Sequence, residues 1–332
     1  MCVVHVGLLP SPWTIPRRVT SPNTGVNRLS ARAGLLLSAI AALWGASFLF
    51  IRVAVATLGP VALIEARVLI AGLALLAVVA LLRQLPAWSK DWKAYLVLGA
   101  LSAAVPFTLI AAAELRITAS LAAILNATTP LFALLIGAAR MREALNARRL
   151  CGVLLGVAGV AVLVGLGPLH FDAGLLAATG ASLLAALLYA IGGVYAKSRF
   201  QSTPPTTVAT GQQLAAAALL LLPSLALPPN REPDVEVGAA VLVLALGCTA
   251  LGFAMFYRLL ARVGPTGALS VTFLVPVFGV AWGALFLGEH ITLTTVGGLV
   301  IVLGSVALVT DVRLTRLRTS RSAGTAVEQS VP

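Results

Sequence analysis

The chain has 332 residues and a net charge of +12, and 59% of its residues are hydrophobic while only 10% are charged. A soluble domain carries about 25% charged residues, so this composition excludes an ordinary globular surface and predicts a protein that lies in the lipid bilayer. The positive charge does not indicate a nucleic-acid partner, because the basic residues lie in the connections between apolar segments, where they orient the chain and contact anionic headgroups.

The residue types that bind metals or carry covalent catalysis are few and scattered. The three cysteines and three histidines show no metal-ligand spacing, so we expect no metal site and no cofactor. The sequence also lacks motifs for nucleotide binding and nucleophilic hydrolysis. We therefore expect a protein that is not an enzyme. A membrane-embedded enzyme is the alternative from another class, and it would need a catalytic constellation that the sequence does not display.

Ten apolar stretches follow one another between a proline-interrupted arm (residues 1–32) and a polar tail (residues 311–332) that is expected to be disordered. A transmembrane helix needs about 20 such residues, and only helices are expected because lipid offers no partner to an unpaired backbone group. The predicted fold is all-α and integral to the membrane, with ten transmembrane helices. Their predicted cores are 33–55, 61–82, 94–113, 118–139, 149–166, 173–196, 206–227, 237–257, 265–287 and 291–310.

The basic residues are distributed unequally between the two sides of these spans. With the N-terminus placed inside, 19 of the 23 Lys and Arg residues lie on the inner side, three lie on the outer side, and Arg67 lies within the second span. Cytoplasmic loops carry an excess of Lys and Arg. The sequence therefore predicts a multi-pass protein of the cell inner (plasma) membrane with both termini in the cytoplasm.

Residues 117–163 and 263–309 align with each other without a gap. The matched pairs are Pro130 with Pro276, Phe132 with Phe278, Gly137 with Gly283, Glu143 with Glu289, and Gly152 with Gly298. Five helices in each half is an odd number, so the second half enters the membrane upside down. The predicted domains are two inverted five-helix repeats, residues 33–166 and 173–310, a geometry typical of secondary transporters that work by alternating access.

Arg67 lies about two turns inside the second predicted span. A charge within the membrane costs on the order of a few kcal/mol unless it is paired or hydrated. Glu114, at the outer end of the third span, is the expected partner, because Glu65 lies two positions away on a different helix face. Two interpretations stay open: Arg67 binds a substrate carboxylate or gates the outer mouth, or it forms a structural ion pair.

The two prolines of the repeat are expected to interrupt their helices, because each removes a backbone donor and bends the helix nearby. Pro130 and Pro276 are therefore predicted to break the helix and gate transport. The carbonyls freed near Asn126 and Thr272, together with Thr129, are predicted to bind substrate in a cavity. The alternative is that these polar groups only satisfy the kinked helices.

Aromatic residues are the predicted walls of the substrate pocket, namely Trp44, Tyr189 and Trp282. The matched carboxylates Glu143 and Glu289 are expected to cap their turns or pair with nearby donors rather than couple protons.

A pair of glycines four residues apart, Gly152 and Gly156, lies in the fifth span. Small residues at this spacing let two helices approach closely. The pair predicts either a homodimer interface or close packing within one chain.

With these residues in hand, the chain resembles the drug/metabolite transporter superfamily, in particular its EamA-type ten-helix members, over residues 33–310. The resemblance rests on the Trp-Gly-x-Ser stretch from Trp44, the Glu-x-Arg from Glu65, and the repeated proline, glutamate and glycine signature. It implies a basket-like bundle of two inverted five-helix repeats. It also implies a cavity lined by the first, third, fourth, sixth, eighth and ninth helices, with the fifth and tenth at the periphery.

The same resemblance implies export or exchange of small metabolites, amino acids being common substrates. We therefore predict a secondary transporter that works without ATP on a small-molecule, amino-acid-like substrate. Efflux of lipophilic cations or drugs is the alternative. It is disfavoured because four-helix multidrug relatives carry an essential carboxylate in their first helix, and residues 33–55 contain no Asp or Glu. The substrate, the coupling ion and the direction of flux stay open.

Overall fold

The computed structural model describes residues 31–141, 146–165 and 172–310. Within these ranges the chain is helical and contains no strand, as lipid requires. The predicted tail, Glu143 and all but the last two residues of the predicted arm lie outside the described residues. The helices are α1 (Ala31–Leu58), α2 (Pro60–Leu81), α3 (Trp88–Gly99), α4 (Val105–Ala113), α5 (Ala119–Asn126), α6 (Thr129–Met141), α7 (Ala147–Gly165), α8 (Ala173–Arg199), α9 (Pro205–Ala226), α10 (Val235–Leu242), α11 (Gly252–Leu269), α12 (Val271–Leu287) and α13 (Leu293–Val309).

Two of the predicted spans each contain a π-helical turn. Residues Ala100–Ala104 join α3 to α4, and residues Val243–Leu251 join α10 to α11, so each pair forms one continuous helix. In the described part of the chain, eight helices are long and apolar enough to cross a membrane, and the apolar helices α12 and α13 are shorter, at 17 residues each. This is the architecture of a multi-pass membrane protein.

The helix boundaries differ from the predicted ones at two places. The third predicted span starts at residue 94, whereas α3 already starts at Trp88, because its first turn extends the helix with charged residues beyond the apolar stretch. The ninth predicted span starts at residue 265, whereas α11 continues through Leu269 and α12 starts only at Val271. Hydropathy alone did not detect either boundary, because helical structure continues beyond the apolar core.

Five helices of the described chain, among them α7 with Asn146, begin at a residue whose side chain caps the helix. The side chains of Thr118, Asp172, Asp234 and Thr292 each accept a hydrogen bond from the backbone N–H three residues later. Such a cap satisfies one of the free donors at a helix start. These caps fix where α5, α8, α10 and α13 begin.

The helices pack in pairs that are far apart in sequence. The most extensive helix contacts are those of α7 with α13, of α2 with α9 and of α1 with α12. Helix α8 lies against α4, α5 and α6. A methyl group at Gly152 would meet the side chain of Val309 on α13, and one at Gly156 would meet Leu131 on α6 and Ser305 on α13. The glycine pair of the fifth span therefore serves close packing within the chain.

The contact between α1 and α12 depends on Gly45. A Cβ atom at this position would lie 2.8 Å from the backbone nitrogen of Gly279 and 2.9 Å from the carbonyl oxygen of Val275. Backbone atoms cannot move aside as a flexible side chain can, so even one methyl group forces the two helices apart.

We expect Gly45→Ala to destabilise the protein by about 1–3 kcal/mol, the usual cost of overpacking. The matched control is Gly180→Ala on α8, where a Cβ atom would meet nothing within 4 Å. The measurement is the thermal unfolding of both variants in the same detergent. Equal midpoints for the two variants would contradict this account of the contact between α1 and α12.

Candidate functional site

A cavity of about 770 Å³ lies within the helix bundle. Eight of the nine residues predicted for substrate binding and gating line it: Trp44, Arg67, Asn126, Thr129, Pro130, Tyr189, Thr272 and Pro276. The family resemblance implied six lining helices. The structure adds Arg67 from the second span, Gln212 from the seventh, and Val309 and Thr310 at the end of the tenth, so the last helix is not wholly peripheral.

Arg67 is buried on α2, with 5% of its surface exposed. Its Nε donates a 3.0 Å hydrogen bond to Oγ1 of Thr249, and its guanidinium carbon lies 3.8 Å from the centre of the Phe107 ring. The Thr249 hydroxyl in turn donates to the carbonyl oxygen of Leu244 at 2.8 Å, within the second π-helical turn. The π-helical turn thus fixes the acceptor that holds Arg67.

The expected ion pair between Arg67 and Glu114 is wrong for the described residues. Arg52 donates to the main-chain oxygen of Glu114, and the two carboxylate oxygens of Glu114 have no hydrogen-bond partner in the part of the chain that the structure describes. Arg67 is instead held by Thr249 and Phe107. Thr249 occupies the Nε of Arg67, and Glu114 follows directly after the last residue of α4 without a bond to the guanidinium.

The fourth predicted span is broken, but Pro130 is not an interior proline. The helix stops between α5 and α6, and Pro130 falls in the first turn of α6, where its missing N–H leaves no bond unmade. The hydroxyls of Thr128 and Thr129 donate to the carbonyl oxygens of Leu125 and Asn126 at 2.7 and 2.8 Å. The carbonyl of Asn126 is therefore satisfied by Thr129 rather than presented to substrate.

The matched proline of the second repeat behaves differently. Pro276 lies inside α12, which continues from Val271 to Leu287. The side-chain oxygen of Asn126, across the cavity wall, is buried and has no hydrogen-bond partner in the described structure. The two prolines share a place in the sequence repeat, but only the first marks a helix break.

The predicted aromatic residues divide into two groups. Trp44 packs against Phe256 at 5.1 Å between ring centres, and the Tyr189 ring meets the edge of Phe107 at 6.0 Å, so both border the cavity. Trp282 is not among the lining residues. Its indole N–H donates to the carbonyl oxygen of Ala42 at 3.0 Å, and this bond fastens α12 to α1.

Sequence reasoning missed several lining residues. Gln212 donates a 3.2 Å hydrogen bond to the carbonyl oxygen of Ser102 in the first π-helical turn, and both residues line the cavity. Phe107 and Cys248 complete the surroundings of Arg67. The only sequence signal was the presence of polar or small residues in apolar spans, which does not identify a π-helical turn.

The charged residues among those that line the cavity are Arg67 and Lys197, and the lining contains no Asp or Glu. Arg67 lies deep within the bundle, whereas Lys197 is exposed near the end of α8. Apart from these two cations the walls are mostly apolar and aromatic. The cavity is therefore electropositive, a chemistry that suits a solute with a negative group and an apolar body.

Glu289 joins the end of α12 to the start of α5. Its carboxylate accepts hydrogen bonds from the backbone N–H groups of Ala119 at 2.8 Å and Ser120 at 3.0 Å, and also from the Ser120 hydroxyl. The carboxylate thus occupies the positive end of the α5 dipole. Glu289 caps a helix, although the helix belongs to the other half of the chain.

The sequence matches the EamA-like transporter family twice, over residues 32–165 and 174–311. An uncharacterized transporter of Archaeoglobus fulgidus is 26% identical over 83% of this chain and 97% of its own length. A probable amino-acid metabolite efflux pump of Salmonella typhimurium is 28% identical over 59% of this chain and 68% of its own length.

A solved crystal structure shares the fold, with a TM-score of 0.60 and 22% identity over 83% of this chain and 96% of its own. The family and these relatives are transporters rather than enzymes. With two matches that together span most of its length, this chain belongs to the EamA-like transporter family.

Proposed function

We propose that this transporter carries a small, amino-acid-like carboxylate across the inner membrane by alternating access, without ATP, and that it exports or exchanges it. The observation that carries the proposal is the cavity, which holds the buried cation Arg67 and no acidic side chain among its lining residues. Its volume of about 770 Å³ falls within the roughly 300–1,000 Å³ of small-molecule sites.

The geometry of Arg67 supports recognition of a carboxylate. Only its Nε bonds to protein within the described residues, so the two terminal nitrogens remain for a ligand. A guanidinium binds a carboxylate through two parallel hydrogen bonds. Trp44, Tyr189 and Phe107 then enclose the apolar part of the solute. The named function of the Salmonella relative agrees with a substrate of this class.

The same charges disfavour efflux of lipophilic cations. A cationic solute would enter a cavity that already contains Arg67 and Lys197, and no carboxylate among the lining residues would balance it. The cost of placing like charges together in a medium of low dielectric constant is high.

We further propose ten transmembrane helices in two inverted repeats, residues 33–166 and 173–310. The helix contacts support this arrangement because they are two-fold symmetric. The second spans of the two halves, α2 and α9, pack on each other, as do the fifth spans, α7 and α13. The contact of α1 with α12 has its counterpart in that of α8 with α5 and α6.

The π-helical turns support the same repeat. They lie in the third span of each half, at Ala100–Ala104 and Val243–Leu251. When the alignment that matches Pro130 with Pro276 is extended back to the third spans, the first π-helical turn falls on the second. Both turns contribute residues to the cavity, Ser102 from one and Cys248 from the other.

In the proposed orientation both termini are cytoplasmic, as the excess of basic residues on their side favours. The cavity then extends from Arg67 to the cytoplasmic ends of α8 and α13, at Lys197 and Thr310. The bonds of Glu289 to α5 lie on the outer side. The structure would thus represent the state that is closed to the outside.

The test of the substrate class is flux into proteoliposomes that contain the purified protein. We expect saturable flux of radiolabelled L-leucine or L-phenylalanine, and no saturable flux of tetraphenylphosphonium. L-Glutamate and L-lysine complete the panel and report on side-chain charge. Flux of tetraphenylphosphonium alone would overturn the carboxylate proposal in favour of cation efflux, and no flux of any amino acid would overturn the amino-acid-like class.

Arg67→Ala is expected to raise the half-saturation concentration of the transported amino acid by about tenfold or more. The physical reason is the loss of charged hydrogen bonds, which contribute about 1.5–3 kcal/mol each, where 1.4 kcal/mol corresponds to about tenfold. Thr249→Val, which removes the acceptor of Nε and the bond from Thr249 to Leu244 but leaves the charge of Arg67 in place, should have a smaller effect. The control is Arg116→Ala, an exposed arginine outside the cavity. An unchanged half-saturation concentration in well-folded Arg67→Ala would assign Arg67 a structural role.

The orientation predicts which loops a membrane-impermeant maleimide can reach from outside the cell. In a variant with Cys2, Cys151 and Cys248 replaced by serine, Glu232→Cys should be labelled in intact cells, and Lys90→Cys only after permeabilisation. Both side chains are exposed in loops or at a helix start. The opposite pattern would invert the orientation, and labelling of both positions from one side would contradict the odd number of spans between them.

A further inference from the structure

Glu114 differs from the other carboxylates in its surroundings. Its residue is 0% exposed, and neither carboxylate oxygen has a hydrogen-bond partner in the described structure. Most other acidic residues of the described ranges have an evident role or contact water: Asp172 and Asp234 cap helices, Asp91 bonds to Arg199, Glu289 caps α5, and Glu232 and Glu236 are exposed.

Glu65 is the nearest comparison and is less extreme. It is 7% exposed, and only one of its two carboxylate oxygens is buried without a partner. Among the carboxylates of the described residues, Glu114 is therefore the one whose negative charge is least stabilised by its surroundings. A buried carboxylate that lacks hydrogen bonds costs several kcal/mol as an ion, and it avoids that cost by binding a proton.

The charged groups around Glu114 come from three directions. Arg52 on α1, Arg67 on α2 and Glu289 beyond the end of α12 act on it electrostatically. The fourth neighbour, α8, carries no charged residue from 173 to 196, and its Tyr189 faces Arg67. Neither arginine bonds to the carboxylate, because Arg52 donates to the main-chain oxygen of Glu114 and Arg67 to Thr249.

We propose that Glu114 is a proton-binding site that couples proton movement to substrate binding at Arg67; the coupling rests on the proposed function, whereas the proton site does not. With a proton on Glu114, the terminal nitrogens of Arg67 remain open to the carboxylate of the solute. When Glu114 gives its proton to water, its carboxylate competes with the solute for the same guanidinium.

One proton on Glu114 accompanies each solute carboxylate that binds at Arg67. Binding of the solute carboxylate to Arg67 is favoured when one proton from water forms an O–H bond on a Glu114 oxygen, and loss of that proton favours release of the solute. The proton and the solute are thus bound together and released together. An imposed pH gradient across liposomes should therefore drive accumulation of the solute in the compartment towards which the protons flow, and net export against that flow then requires a solute gradient that exceeds the pH gradient.

The first test detects the proton without any substrate. Infrared difference spectra of the protein in phosphatidylethanolamine and phosphatidylglycerol liposomes are recorded between neutral and alkaline pH. We expect the C=O band of a protonated carboxyl that has no hydrogen bond, lost at alkaline pH. The band should be absent from Glu114→Gln and present in the exposed control Glu236→Gln. A band that Glu114→Gln leaves unchanged would overturn the proposal.

Glu114→Asp keeps the proposal testable if Glu114→Gln does not fold. A carboxyl one methylene shorter retains a titratable group, so we expect its C=O band to persist with a shifted position or midpoint. A band in Glu114→Asp identical to that of the wild type in both respects would show that it arises from another residue and would overturn the assignment.

The second test measures coupling with radiolabelled L-leucine. In Glu114→Gln, counterflow of L-leucine should continue, while its accumulation should become equal with and without a pH gradient. A gradient response that matches the wild type would overturn the coupling. If the wild type transports no L-leucine, the substrate proposal fails for this probe while the infrared result still decides whether Glu114 holds the proton.

Discussion

The constraint on which this structure depends is the absence of water from the bilayer core. Every backbone N–H and C=O must find a partner within the protein, so a helix can be interrupted only where another group replaces the lost bond. At the break between α5 and α6, the hydroxyls of Thr128 and Thr129 supply that bond to the carbonyls of Leu125 and Asn126. The residues that interrupt the helix also border the cavity. Departures from regular helix and the binding site thus coincide for one physical reason.

The π-helical turn at Val243–Leu251 extends this argument to the charged centre. Within this turn the Thr249 hydroxyl donates to the carbonyl oxygen of Leu244. That donation leaves the Thr249 oxygen as an acceptor, which Arg67 then occupies. The energetic cost of burying a cation is offset locally by this bond and by the face of Phe107. The guanidinium is therefore held by neutral groups, and its remaining donors keep their full charge for a ligand.

Much of this arrangement follows from the sequence because it depends on composition and repetition. The thickness of the bilayer dictates the length of the apolar spans. A proline or a polar residue such as Asn126 inside a span is therefore expected at a cavity or at a helix contact. What the sequence could not supply are contacts between distant segments. Trp282 was predicted to line the pocket but bonds to Ala42, 240 residues away. Glu114 was assigned to Arg67 because both are charged, although Thr249 holds that arginine through a turn that hydropathy cannot detect.

The helix contacts are compatible with the proposed alternating access, in which either side of the cavity closes in turn. Gly45 lets α1 lie directly against α12, and Glu289 at the end of α12 holds the start of α5. These contacts join the first half of the chain to the second, Gly45 near the middle of α1 and Glu289 beyond the end of α12. Because α8 stands to α5 and α6 as α1 stands to α12, the proposed cycle exchanges the roles of the two halves. Between α12 and the first half of the chain, the described directional bonds are those of Glu289 to the start of α5 and of Trp282 to Ala42, so the proposed opening of that side breaks few such bonds while the paired cores of α2 with α9 and α7 with α13 stay packed.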